Sequence, residues 1–80
     1  MKFAELQEKF ESQDHILFKL YSLEYYIEKK DDYVIAYAID YPERKMKYKN
    51  FKEAINNYKV YSETLINQID KIELNNKGDE

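Results

Sequence analysis

Between Tyr33 and Asp40 the chain alternates without a slip. Tyr33, Ile35, Tyr37 and Ile39 fall on one phase, and Val34, Ala36, Ala38 and Asp40 on the other. A two-residue rhythm is that of a β-strand, whose successive side chains leave opposite faces of a sheet. The segment before it, Lys2 to Ser12, has a different period: Phe3, Leu6 and Phe10 stand at i, i+3 and i+7 among Lys and Glu, the stripe of a short amphipathic helix. Ser12-Gln13-Asp14 reads as its end, because Ser and Asp side chains compete for backbone hydrogen bonds.

From His15 to Ile27 the two periods overlap. Ile16, Leu20, Leu23 and Ile27 fit a helical stripe, while Tyr21, Leu23, Tyr25 and Ile27 alternate against Ser22 and Glu24. Aromatic and β-branched side chains suit a pleated surface, so Leu20 to Glu28 is read as a strand. Lys29-Lys30-Asp31-Asp32 is a polar connector of hairpin length leading into the strand at Tyr33. Tyr41-Pro42-Glu43-Arg44 supplies the next turn. In a third strand Lys45, Lys47 and Lys49 alternate with Met46 and Tyr48.

Asn50 followed three residues later by Glu53 is the reciprocal pairing that opens a helix. Phe51, Ala54, Ile55, Tyr58, Leu65, Ile66, Ile69 and Ile72 then keep helical spacing, with Ser62 placed to cap a second segment and break the helix near it. The expected architecture is α+β in the order α-β-β-β-α(α): a three-stranded antiparallel meander with an N-terminal and a C-terminal helix packed on one face. Residues 1–74 form a single domain on this reading, and 75–80 a flexible tail. The covered face should collect Tyr21, Leu23, Tyr25, Ile27, Tyr33, Ile35, Tyr37, Ile39, Met46 and Tyr48. The open face should collect Ser22, Glu24, Tyr26, Glu28, Val34, Ala36, Ala38, Asp40 and the three lysines. Most tyrosines are thereby assigned to the core.

Composition agrees with a folded chain, since 44% of the 80 residues are hydrophobic and Gly and Pro occur once each. A core this small leaves a thin stability margin, which favours association with a partner. The absence of cysteine excludes disulfides, thiolate metal sites and a cysteine nucleophile. The first ten residues interrupt any apolar run with acids and Gln, and no stretch approaches the ~20 apolar residues of a membrane span. A soluble, cytoplasmic protein with no membrane partner is expected.

Candidate chemistry is sparse. The single histidine, His15, has no nucleophile elbow near it. The one glycine, Gly78, cannot form a phosphate cradle. Asp31, Asp32 and Asp40 lack the spacing of a calcium loop. Glu24, Glu28 and Asp40 would stand on an open polar face, where water keeps a carboxylate ordinary. No catalytic residue, metal or cofactor is assigned, and no enzymatic activity is expected.

Charge separates the remaining readings. The net charge is −3, yet residues 33–50 carry +2. Arg44, Lys45, Lys47 and Lys49, with Tyr26 and Tyr41, form the candidate binding surface. A non-enzymatic protein-binding module, an adaptor, regulator or inhibitor, is expected first, its partner another protein or a second copy of itself. Small acidic proteins of this shape include inhibitors carried by phages and mobile elements, an analogy of shape alone. A single-stranded nucleic-acid binder using Tyr26, Lys45, Lys47 and Lys49 is the alternative, since lysines about 6 to 7 Å apart along a strand match phosphate spacing. The acidic remainder of the chain argues against a polyanion.

Overall fold

The computed structural model describes residues 2–74; the expected tail, 75–80, lies outside them. Helix α1 spans Phe3–Gln13 and buries Leu6 and Phe10, as the i, i+3, i+7 stripe predicts. Its first turn is closed by Glu5, whose Oε1 accepts the Lys2 backbone N–H at 3.1 Å. It stops at Asp14, which turns left-handed (φ 64°) and returns its N–H to the Phe10 carbonyl.

The strands that follow are β1 (His15–Leu20), β2 (Leu23–Lys30) and β3 (Tyr33–Ala38). After a 3₁₀ turn at Pro42–Arg44 come β4 (Met46–Tyr48) and helix α2 (Phe51–Asn57). A small hairpin of β5 (Lys59–Val60) and β6 (Glu63–Thr64), a 3₁₀ segment at Ile66–Lys71 and β7 (Glu73–Leu74) complete the described residues. The main sheet is antiparallel in the order β4-β3-β2-β1-β7. The α+β class and the helix-sheet-helix order are as expected, but the sheet has five strands instead of three.

The extra strand on the N-terminal side arises because the run read as one strand from Leu20 contains a hairpin. Tyr21 and Ser22 both take positive φ (53° and 71°), the requirement of a two-residue hairpin loop that Asn-Gly usually meets. Tyr21 is therefore 47% exposed at a corner and not in the core. The same dipeptide repeats the device between β5 and β6, where Tyr61 and Ser62 have φ 56° and 70°. The two corners touch: the Tyr21 and Tyr61 rings meet edge-on at 5.2 Å, and Lys71 Nζ donates to the Tyr21 hydroxyl at 3.1 Å.

The C-terminal helix is shorter than its apolar spacing suggested. Asn50 caps it as expected, its Oδ1 accepting the Glu53 N–H at 2.8 Å, but the Glu53 carboxylate reaches back to the N–H of Lys49 and not to Asn50. The helix ends at Asn57, well before Ser62. Asn56 and Asn57 donate their side-chain amides to the carbonyls of Lys52 and Glu53, engaging the acceptors of the last turn locally. Downstream, Gln68 is 3% exposed and its Nε2 bridges the Val60 and Glu63 carbonyls, stapling the β5–β6 hairpin.

The core lies on one side of the sheet. Ile16, Phe18 and Leu20 from β1, Tyr25 and Ile27 from β2, and Val34 and Ala36 from β3 point into it. From above, α1 and α2 close over them through Leu6, Phe10, Phe51 and Ile55, with the Phe10 and Phe51 rings stacked at 4.5 Å. Val60, Leu65 and Ile72 fill the C-terminal end. Tyr58 packs between Tyr25 and Tyr48, edge-on to each at 6.4 Å. Burial pushes its hydroxyl pKa up to about 12.

One expectation is reversed. Tyr33, Ile35 and Tyr37 do not join Tyr25 and Ile27 beneath the helices; the core residues of β3 are Val34 and Ala36, and Ile39 is 38% exposed past the strand end. The cause is the loop. Asp31 and Asp32 form a two-residue turn, so Lys30 pairs Tyr33, Glu28 pairs Ile35 and Tyr26 pairs Tyr37. An even-length loop always joins residues of opposite parity, and this sends the larger side chains of β3 to the face carrying Glu24, Tyr26 and Glu28. Met46 and Tyr48 keep the expected phase, opposite Ala36 and Val34, although Met46 is 49% exposed at the sheet edge.

Candidate functional site

Register builds the face opposite the helices in four rows, the shortest of them Lys30 and Tyr33 across β2 and β3. Leu17, Tyr26 and Tyr37 lie side by side across β1, β2 and β3. Next to them run His15, Glu28, Ile35 and Lys47 across β1 to β4. On the other flank are Glu73, Lys19 and Glu24. Strand alternation requires this composition: each of these positions is one residue removed from a core position on its own strand.

The rings on this face form a connected group. Tyr26 contacts Tyr37 edge-on at 5.7 Å and His15 at 5.6 Å. Cations cover its β4 side: Lys47 Nζ lies 4.1 Å from the centre of the Tyr33 ring, and Lys45 Nζ 4.7 Å from that of Tyr37. The Tyr26 hydroxyl pKa is raised, first by partial burial and then by the nearby Glu28 carboxylate and Tyr37. His15 Nδ1 donates to the Gln13 carbonyl oxygen at 2.9 Å.

The sequence-assigned surface residues are thus only partly brought together. Tyr26, Lys45 and Lys47 share the uncovered face. Tyr41 is 50% exposed in the turn beyond β3 and pairs with Arg44, whose guanidinium stands 5.9 Å from its ring centre. Lys45 also donates to the Pro42 carbonyl at 3.2 Å, which ties this turn to the edge of the face. Lys49 lies apart, past the end of β4. It lines an open cleft of about 720 Å³ between α1, the β2–β3 turn and the start of α2, where Glu11, Asp14, Asp31 and Asp32 mix with Lys49 and Lys52.

Comparison with known proteins finds no matching family model, no similar curated protein and no similar solved structure. The site's meaning therefore rests on its own chemistry.

Sequence reasoning missed Leu17, Tyr33, Ile35 and Tyr37 as members of this face. A signal for the last three was present, because Lys29-Lys30-Asp31-Asp32 also has even length and by itself places Tyr33 on the side of Glu28. The lysine strand does not lie beside Glu24 and Glu28 within the chain. Strand β3 lies between them, and Ile35 separates Lys47 from Glu28 in their common row. Among the described residues no helix is long and apolar enough to cross a membrane, and no group of three or more His, Asp or Glu is placed to hold a metal ion.

Proposed function

We propose that the chain is a non-enzymatic protein-binding module whose uncovered sheet face, centred on Tyr26, Ile35 and Tyr37, docks against a protein surface. One observation carries the reading: the three larger side chains of β3 stand on the side away from both helices, next to Leu17 and Tyr26. A contiguous apolar and aromatic patch rimmed by charge is how docking surfaces of soluble proteins look, and tyrosine is enriched in them because it offers a large, stiff, amphipathic contact.

The nucleic-acid reading retains support from the lysines beside Tyr33 and Tyr37. Two features weigh against it. The ammonium groups already occupy ring faces that bases would need, and Glu24 and Glu28 flank Tyr26 along its own strand, where they repel phosphate. Titration with a labelled single-stranded oligonucleotide at low and moderate salt is expected to show no saturable binding; salt-sensitive binding lost in Lys47→Glu would reinstate that reading.

The docking face is tested with a photo-crosslinking amino acid placed at Ile35 and, separately, at Asn56 on the exposed side of α2. Protein adducts are expected from position 35 and none from position 56 on illumination in a lysate of the source cell. Adducts from neither position, or from 56 alone, would remove the proposal.

A further inference from the structure

The uncovered face is not uniformly charged, and its asymmetry has a direction. Reading across the sheet, β2 contributes Glu24, Tyr26 and Glu28 with Lys30 at its end, β3 contributes Tyr33, Ile35 and Tyr37, and the β4 side contributes Lys45 and Lys47. In the central row an acidic, an apolar and a basic side chain, Glu28, Ile35 and Lys47, therefore lie in order. Such a pattern is complementary to itself when turned over.

We infer that the occupant of this face is a second copy of this chain, packed sheet to sheet about a two-fold axis running along β3; this rests on the docking reading above. Rotation by a half-turn about that axis lays β3 on the partner's β3 and exchanges β2 with β4. Glu28 and Lys47 belong to one row, so the rotation sets Lys47 opposite the partner's Glu28 at the same height along the strands. Lys45 shares its row with Tyr26 and Tyr37, and comes to lie over the partner's Tyr26, within one row of the partner's Glu24. The contact is isologous, so each ion pair is made twice. Ile35 and Tyr37 pack against their own symmetry copies, and two antiparallel sheets stacked in this way keep their strands within about 30° of each other.

Size sets the strength. The rotation overlaps three strands, β2 to β4, and with strands about 4.8 Å apart and six residues of about 3.3 Å each the shared face is roughly 14 by 20 Å. That is below the standard size of specific interfaces, so the association is a weak one.

Sedimentation equilibrium from about 1 µM to 1 mM is the test, with far-UV circular dichroism to establish that each variant is folded. The wild-type mass should double over this range and stop at two. Lys47→Glu and Glu28→Lys should each weaken association by about tenfold or more. An equimolar mixture of the two variants should recover it, because both cross-copy pairs then join opposite charges. A variant that merely perturbed its own fold would not be rescued by the other. Wild-type protein that stays monomeric to 1 mM, or a mixture that stays as weak as its components, would overturn the second copy as occupant. The docking face would survive that result if position 35 still crosslinks to a different protein, and would fall with it if no adduct forms.

Discussion

Strand β3 meets two different surroundings six residues long. Its inner face offers Val34 and Ala36 to a helix: α2 lies over β3 and β4, and Ala36 and the helix residue Ala54 are both fully buried. Its outer face offers Tyr33, Ile35 and Tyr37, which no described helix covers. Bulk is thus distributed against the simplest expectation, with small side chains inside and large ones outside. Packing explains the inside, since the volume between sheet and helix is already filled by Phe51 and Ile55, and a tyrosine at position 36 would have no room. On the outside the Tyr26 ring and the Lys45 and Lys47 side chains pack against Tyr33 and Tyr37. Apolarity alone therefore does not say which phase of a strand is buried; the facing element and the loop decide.

The sharpest separation of the two sides comes from large-to-small replacement. Phe18→Ala removes a fully buried ring from the centre of the inner face and should lower unfolding free energy by about 3–5 kcal/mol in urea titrations. Ala36→Leu probes the same side from the opposite direction. Added volume beneath α2 should lower stability by about 1–3 kcal/mol, and a smaller change than that would mean the helix can retreat.

Alkaline titration gives an effect of about 1.4 kcal/mol per pH unit at most for each tyrosine whose pKa is raised. The Tyr58 hydroxyl keeps its proton up to about 12 in the folded chain but loses it near 10 when unfolded. The folded state binds more protons in between, so stability should be complete below pH 10 and decline from pH 10 to 12. Tyr58→Phe should flatten this decline without abolishing it, because the hydroxyl pKa values of Tyr25, Tyr26 and Tyr48 are raised as well. A wild-type unfolding free energy that is constant across that window would contradict the burial of Tyr58.

The smallest stability effect belongs to the outer side. Ile35→Ser should lower stability by about 1 kcal/mol at most while eliminating the mass increase expected at high protein concentration. A loss of several kcal/mol would show that Ile35 supports the fold of a single chain after all.

Much of this architecture was legible before coordinates. The first helix, the strand at Tyr33, the turn at Pro42, the lysine alternation and the Asn50 cap follow from period and capping chemistry. Three features were not, each for a physical reason. The hairpin at Tyr21-Ser22 uses bulky and β-hydroxyl residues where left-handed backbone normally recruits Asn or Gly, so no turn signal marks it. The break expected near Ser62 is present, but Val60-Tyr61-Ser62-Glu63 makes it as a hairpin that repeats the Tyr-Ser corner, and the segment beyond it is 3₁₀ and not α-helical. The burial phase of β3 depends on loop parity, which composition does not report. Of the surface residues singled out, Tyr26, Lys45 and Lys47 gathered on one face because they were read from strand period. Lys49 did not, because β4 ends one residue before it.

The margins of the sheet carry a consequence of their own. Strand β4 is three residues long, bounded by a 3₁₀ turn and by the start of α2, and β7 is two residues long. A further chain annealing sideways would find a ladder of only two or three rungs on either border, too short to hold a recruited strand. Among the described residues, lateral pairing into fibrils is thereby disfavoured at both borders of the sheet.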